Sequence, residues 1–95
     1  MPYIRLSIAH ALPGQEKRFE EVMSKLAAWS KEQPGCLEAY LLKPHDNSGE
    51  LARISIYTDE SVAEKIAMSD HFMALRSELQ LAAGSDHVER AFFTV

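Results

Sequence analysis

The stretch from Arg53 to Phe72, RISIYTDESVAEKIAMSDHF, decides the fold of this chain. Its first residues alternate between apolar and polar types, which predicts a half-buried strand that ends near Thr58. Asp59 is a favoured helix N-cap residue, so a helix is predicted directly after the strand. Ser69 is a second capping residue and predicts a new helical segment that buries Phe72. The stretch is therefore interpreted as a strand followed by two consecutive helical segments.

The residues just before this stretch predict a hairpin. The string QPGCLEAYLL leads from the helix-stopping pair Pro34-Gly35 into a strand over Cys36 to Leu42. The segment from His45 to Gly49 is rich in turn-forming residues. The strand before this turn should pair antiparallel with the strand after it, Leu51 to Thr58.

The N-terminal third of the chain predicts a strand and a long helix. Between Tyr3 and His10, apolar residues occupy the even positions, which indicates a strand with two distinct faces. From Gln15 onward apolar residues recur at helical spacing, and such an amphipathic helix must dock on a sheet. The apolar stripe of this helix consists of Phe19, Val22, Met23, Leu26 and Trp29.

The C-terminal third completes the predicted topology. Leu75 and Leu79 share the buried side of the last helical segment, which ends at Gly84 to Asp86. The segment from His87 to Val95, HVERAFFTV, predicts a closing strand. The element order is then β-α-β-β-α-β, a ferredoxin-like α+β fold with a four-stranded antiparallel sheet. Residues 1–95 form one domain, with both helices on one face of the sheet.

The other face of this sheet needs a cover. Ile54 and Ile56 alternate with Leu51 and Tyr57, so the strand is apolar on both sides and neither side suits water. An uncovered apolar face of this size would promote aggregation. We therefore predict a homodimer in which the sheet faces of two copies pack together.

Composition limits the class of protein. The 95 residues carry a formal net charge of −4, and the basic residues are scattered among acids, so no nucleic-acid partner is predicted. Cys36 is the only cysteine, which excludes an intrachain disulfide. No apolar run approaches the roughly 20 residues of a membrane span, and no signal peptide is recognisable. These features predict a cytoplasmic protein with no membrane partner.

Among the four histidines, one is a candidate base. The histidines do not occur at metal-ligand spacing, and no phosphate loop or nucleophile motif is present, so neither a metal nor a cofactor is predicted. Ser69 as a cap would place His71 in the first helical turn, where the helix dipole disfavours the imidazolium. His71 would then look into a cavity between helix and sheet, at the margin of the buried stripe. The alternative is a histidine that only hydrogen-bonds at a helix start.

Other polar residues lie on elements that would border such a cavity. Tyr57 ends the third strand and either lines a pocket or packs under the helix. Arg76 is a candidate donor, and it can equally be a solvated surface residue. Cys36 is interpreted as a small buried hydrophobe. The predicted substrate-binding residues are Ser7, Tyr40, Arg53, Ile66 and Phe72.

The order of these elements, with QPGCLEAYLL and the string Ser69-Asp70-His71-Phe72, resembles the antibiotic-biosynthesis-monooxygenase family over nearly the whole chain. The resemblance implies a dimeric α/β barrel made from two sheets packed face to face. It also implies an oxygenase that uses no flavin, haem or metal and acts on hydroquinones and anthrones. Such chemistry needs a base, a dry pocket and donors for an anion, for which His71, Tyr57 and Arg76 are the candidates.

The chain departs from known branches of that family. The haem-degrading branch uses an Asn, Trp and His triad, whose positions are taken here by Ser7, Ile66 and Arg76. The branch that makes polyketide quinones has Asn, Trp and Tyr around its pocket, whereas Trp29 lies on the first helix. A third branch processes small signalling sugars with polar pocket residues that this sequence does not reproduce.

Two functions remain open from the sequence. The first is a cofactor-independent monooxygenase that acts on a small aromatic or quinol substrate. The alternative is a non-catalytic dimeric module that binds a small ligand or regulates another process. A cavity that holds His71 with Tyr57 or Arg76 would favour the enzyme, and a gap filled by Met68, Met73 and Phe72 would favour the module.

Overall fold

Four strands and three helices follow one another along the chain, and the computed structural model describes residues 1–95. They are β1 (Tyr3–His10), α1 (Glu16–Lys31), β2 (Cys36–Leu42), β3 (Glu50–Tyr57), α2 (Glu60–Ala67), α3 (Asp70–Ala82) and β4 (Val88–Phe93). The strands form one antiparallel sheet in the order β2-β3-β1-β4. This arrangement confirms the predicted ferredoxin-like α+β fold, with its second helix divided into α2 and α3.

Two side-chain caps divide the helical segment that follows β3. The Asp59 carboxylate accepts a hydrogen bond from the Val62 amide at 3.0 Å, where α2 begins. The Ser69 hydroxyl accepts one from the Phe72 amide at 3.3 Å, where α3 begins. Each cap satisfies an amide that the first turn of a helix leaves without an intrahelical partner. Both predicted helix starts are therefore confirmed.

The helices pack on the face of the sheet that carries the odd-numbered residues of β1 and β3. Tyr3 and Tyr57 lie opposite each other on this face, and both are buried in one cluster with Val22 and Leu26 of α1. Burial of side chains of this size contributes about 1.5–3 kcal/mol each. A second buried cluster contains Ala9, Phe19, Met23, Leu51 and Ala82.

The even-numbered residues of the same strands lie on the opposite face. Ile4, Ile54 and Ile56 are only partly buried, and none belongs to either core cluster. Phe92 pairs with Ile4 on this side and is 42% exposed. The apolar stripe of β1 is thus turned away from the helices, whereas the residues between its members lie beneath them.

Gly35 lets the chain pass close to α2 on its way into β2. Its φ of +88° is in the left-handed region that favours glycine, and a Cβ here would lie 2.5 Å from a Val62 methyl carbon. The Gly35 carbonyl accepts a hydrogen bond from the Thr58 amide at 2.9 Å. This contact ties the start of β2 to the end of β3, directly beside the cap of α2.

The last strand is shorter than predicted. The closing strand was expected over His87 to Val95, but β4 spans Val88–Phe93. Phe93 pairs with Tyr3, the first residue of β1, so the ladder has no further residue of β1 to continue on.

None of the three helices combines the length and the apolar character that crossing a lipid bilayer requires.

Candidate functional site

A cavity of about 270 Å³ lies between the sheet and the two short helices α2 and α3. Its floor is set by the strand register on the helix-facing side. Ser7 in β1 lies between Arg53 in β3 and Glu89 in β4. Arg5 lies in the next row of the same face, opposite Ser55. The floor therefore places guanidinium, hydroxyl and carboxylate groups side by side beneath the helices.

Small residues on α2 leave room for the cavity, and α3 supplies larger side chains. Ala63 and Ala67 line it from α2, whereas Phe72 and Arg76 line it from α3. The N-cap Ser69 lies three residues before Phe72 and sets where α3 begins. The start of the helix determines which of its residues face the sheet, and Phe72 is one of them. The aromatic part of the lining consists of Tyr3, Tyr57 and Phe72.

Arg53 is the most deeply buried charged residue of the site. It is 7% exposed, and its guanidinium carbon lies 5.7 Å from the centre of the Phe72 ring. Burial lowers the pKa of the Arg53 guanidinium, since desolvation disfavours the charged form, while the nearby Glu89 carboxylate acts in the opposite direction. Arginine nevertheless stays protonated in proteins. A full positive charge therefore lies at the bottom of the cavity.

Arg76 and Glu89 form an ion pair at one side of the cavity. The guanidinium Nη2 lies 3.4 Å from a carboxylate oxygen of Glu89, and both side chains are partly exposed. Beyond the pair lies a second cavity of about 280 Å³, which shares Ser7, Arg76 and Glu89 with the first. The pair thus stands where the two cavities meet.

The structure brings five of the predicted site residues together. Tyr57, which is 3% exposed, and Arg76 both line the first cavity, as proposed donors would. Three of the predicted binding residues line it as well: Ser7, Arg53 and Phe72. Met68 and Met73 do not fill the gap, since they are 74% and 48% exposed.

His71 is not where the sequence predicted it. The side chain is exposed and stacks on Trp29 of α1, with ring centres 4.7 Å apart, and it is not among the residues that line the cavity. Neighbouring residues of a helix point about 100° apart, so only one of His71 and Phe72 can face the sheet. The apolar Phe72 takes that position because it continues into the buried Leu75.

Two further predicted binding residues also lie elsewhere. Tyr40 pairs with Ile54 on the face turned away from the helices, is 46% exposed and donates a hydrogen bond to Glu38 at 2.6 Å. Ile66 is 7% exposed and belongs to the buried core beside Val22. Both therefore lie outside this cavity.

Eight of the thirteen lining residues were missed in the sequence, among them Tyr3, Arg5 and Glu89. Tyr3 and Arg5 precede Ser7 at the same parity along β1, so strand alternation would have placed all three on one face. Glu89 lines the cavity from β4, and finding it required the register of that strand. Cys36 lies outside the cavity, and burial raises the pKa of its thiol. No group of three or more His, Cys, Asp or Glu side chains lies close enough together to hold a metal ion.

Comparisons with known proteins agree with this architecture. Residues 4–78 match the family described as antibiotic biosynthesis monooxygenase. The structure is similar to Rv0793 from Mycobacterium tuberculosis, with a TM-score of 0.90 and 13% identity over 100% of this chain and 96% of that one. It is also similar to SnoaB, a cofactor-independent oxygenase from Streptomyces nogalater, with a TM-score of 0.85 and 19% identity over 99% and 93% of the two chains.

A third similar structure is PA3566 from Pseudomonas aeruginosa, with a TM-score of 0.86 and 19% identity over 99% of this chain and 94% of that one. At these identities the likeness establishes a shared fold. Among curated proteins, none matches this sequence.

Proposed function

The chain belongs to the antibiotic biosynthesis monooxygenase family, and from that premise we propose that it is a cofactor-independent monooxygenase acting on a small aromatic or quinol substrate. One observation carries the proposal: the cavity beneath α2 and α3 combines aromatic walls with the Tyr57 hydroxyl and the guanidinium groups of Arg53 and Arg76. These are the groups that an electron-rich aromatic anion requires. SnoaB, which shares the fold, is described as a cofactor-independent oxygenase.

The proposed reaction uses the substrate as its own reductant. Loss of a proton from a phenol or an activated ring carbon gives an anion that can transfer an electron to O2. One oxygen atom then enters the substrate and the other leaves as water. In an anthrone a CH2 group becomes a carbonyl, and in a hydroquinone a ring C–H becomes C–OH while the ring is oxidised to the quinone. Atoms and electrons balance without an added reductant. The protein must therefore favour the substrate anion and exclude bulk water.

Three residues have proposed roles in that chemistry. Arg53 lowers the pKa of a bound phenol, because a nearby positive charge stabilises the phenolate. Tyr57 and Arg76 donate hydrogen bonds to the oxygen atoms on which negative charge develops. Phe72 and the aromatic ring of Tyr57 contact the faces of the substrate ring.

The route of the proton does not require a histidine in the cavity. Glu89 is the one carboxylate among the lining residues, and its exposed position allows it to pass a proton to solvent. His71 was predicted as the base, and its stack on Trp29 gives that role no support. We therefore assign the anion-forming step to the positive charge of the cavity.

Oxygen uptake tests the function. Metal-free protein is incubated with a panel of hydroquinones and anthrones, beside a no-protein control for autoxidation. The wild type should consume oxygen above that control, and Tyr57→Phe should reduce the rate by about 10²-fold or more, the usual loss for one anion-stabilising donor. Tyr40→Phe is the matched control, since Tyr40 lies on the other face. No uptake above the control across the panel would refute the oxygenase.

The absence of a histidine among the lining residues favours a second candidate function. A cavity with no histidine, whose one carboxylate is paired with Arg76, is also what a small-ligand-binding or regulatory module of this fold would have. The two are separated by measuring both properties on one ligand. Binding without oxygen uptake identifies the module, whereas binding followed by uptake identifies the enzyme.

The assembly proposed for either function is a homodimer through the sheet. The even-numbered residues of β1 and β3 form a partly buried apolar surface, and Tyr40 and Phe92 extend it onto the outer strands. A second copy that covers this surface removes it from water and closes the barrel. The cavity lies on the other side of the sheet, so dimerisation leaves it accessible from α3.

A further inference from the structure

The arginines of this chain are concentrated at one place. The protein is acidic overall, with a formal net charge of −4. Nevertheless four of its five arginines line the first cavity, together with a single carboxylate and no lysine. Arg90 turns its guanidinium over the Phe92 ring on the opposite face, at 5.3 Å, so it does not point into the cavity. Arg5, Arg53 and Arg76 remain.

Of these three, Arg76 has a partner and the other two do not. None of the ion pairs of the chain includes Arg5 or Arg53. The Nε atoms of both are buried and have no hydrogen-bond partner. A buried charge without a hydrogen-bonded counter-ion destabilises a folded protein, and the contact of Arg53 with the Phe72 ring offsets only part of that cost. Folding stability alone gives no reason to retain Arg53.

The neighbouring hydroxyl groups can donate to an anion, and the one carboxylate of the lining already has a partner. Ser7 lines the cavity beside Arg53. Ser55, which pairs with Arg5 across the strands but is not a lining residue, carries a buried hydroxyl without a partner. The one carboxylate of the lining, Glu89, is engaged with Arg76. An oxyanion satisfies such a set, because its lone pairs accept from guanidinium and hydroxyl groups at once.

We propose that the cavity binds an aromatic acid, with its carboxylate or phosphate held between Arg53 and Arg5. This inference rests on the proposed function for the aromatic ring, which Tyr3, Tyr57 and Phe72 would contact, but the anion follows from the unpartnered arginines alone. The volume of the cavity is about 270 Å³, close to the lower end of the range for ligand pockets, which begins at about 300 Å³. A ligand of only one or two fused rings therefore suits it.

Calorimetry without oxygen tests the proposal, because binding is then separated from turnover. The probes are 2-naphthoate, 2-naphthyl phosphate and the neutral methyl 2-naphthoate. Wild-type protein should bind at least one of the two anions about tenfold or more tightly than the ester, as expected for charge-assisted hydrogen bonds. The anion that binds more tightly identifies the natural group as a carboxylate or a phosphate.

Variants locate the binding charge. Arg53→Met should lower the affinity for the preferred anion by about tenfold or more and leave the affinity for the ester unchanged. Arg53→Lys keeps the charge without the guanidinium fork and should give an intermediate affinity. Arg18→Met is the matched control, since Arg18 is the one arginine outside the cavity and is exposed on α1. It should change neither affinity.

Stability gives a second readout that a structural arginine would not produce. Methionine fills a similar volume without a charge, so Arg53→Met should unfold at a higher temperature than the wild type. Equal binding of ester and anions by the wild type would overturn the proposal even if no variant folded. Anion binding without oxygen uptake would support the anion site and refute the oxygenase. Oxygen uptake with neutral quinols and no preference for anions would support the oxygenase and refute the anion site.

Discussion

The Arg76 guanidinium lies 3.4 Å from the Glu89 carboxylate, and this pair joins α3 to β4 where the two cavities meet. Glu89 is also the neighbour of Ser7 in the strand register. One side chain thus neutralises a cavity arginine, holds the last strand to the helix and separates two spaces of similar size. Its charge sets how positive the first cavity is.

Replacing Glu89 by glutamine should strengthen anion binding. The substitution removes the one negative charge of the lining and frees Arg76, and a change of about 1 kcal/mol corresponds to roughly fivefold in affinity. Calorimetry with 2-naphthoate measures it. The free energy of unfolding should change by less than about 1 kcal/mol, since both partners are partly exposed. Glu21→Gln, on the exposed side of α1, is the control. Weaker binding by the Glu89 variant would contradict the charge argument.

Removing the His71 imidazole should leave catalysis nearly intact. His71→Ala should retain oxygen uptake within about twofold, whereas loss of a general base costs roughly 10²–10⁴-fold. The fluorescence of Trp29 should change, because its stacking partner is gone and it is the only tryptophan. His45→Ala, in the exposed turn, should alter neither property. A hundredfold loss of uptake would show that His71 acts as the base after all.

The fold was predictable because its signals are local. Asp59 and Ser69 carry their capping function in their own side chains, so residue type alone placed the starts of α2 and α3. The site depends instead on which way each element faces. Alternation predicted two faces for a strand but could not tell which face meets the helices. Tyr40 of β2 was therefore assigned to the cavity, although it lies on the other side of the sheet.

The charge of the cavity could not be predicted for a related reason. Arg5, Arg53 and Arg76 are far apart in the sequence and meet only through strand pairing and the docking of α3. Each taken alone is an ordinary surface residue by type. Their convergence, and the lack of a partner for Arg53, are properties of the tertiary structure.

A charge on the even-numbered face should separate the proposed dimer. Ile56→Glu places a carboxylate in the middle of that face, where burial against a second copy would cost several kcal/mol. Sedimentation should give a dimer for the wild type at micromolar concentration and a monomer for the variant. Ala28→Glu adds the same charge at an exposed position of α1 and should remain dimeric. A monomeric wild type would refute the sheet-to-sheet interface.

Asp59 should make the stability of the protein fall in acid. A hydrogen bond from the Ser61 hydroxyl at 2.7 Å, and one from the Val62 amide, hold the pKa of the Asp59 carboxyl below its ordinary value. A carboxyl with a lowered folded-state pKa contributes stability above its unfolded pKa of 3.8, and this contribution is lost as the pH falls through the lower folded value.

Asn caps a helix about as well as Asp and does not titrate, so Asp59→Asn isolates this effect. Urea unfolding midpoints are compared from about pH 7 down to about pH 3, across the ordinary range of an aspartate. The advantage of the wild type over Asp59→Asn should be constant near neutrality and should shrink in acid. Ser61→Ala removes the hydroxyl donor and should weaken that acid dependence. Parallel pH profiles for the wild type and Asp59→Asn would show that the cap does not couple to protonation.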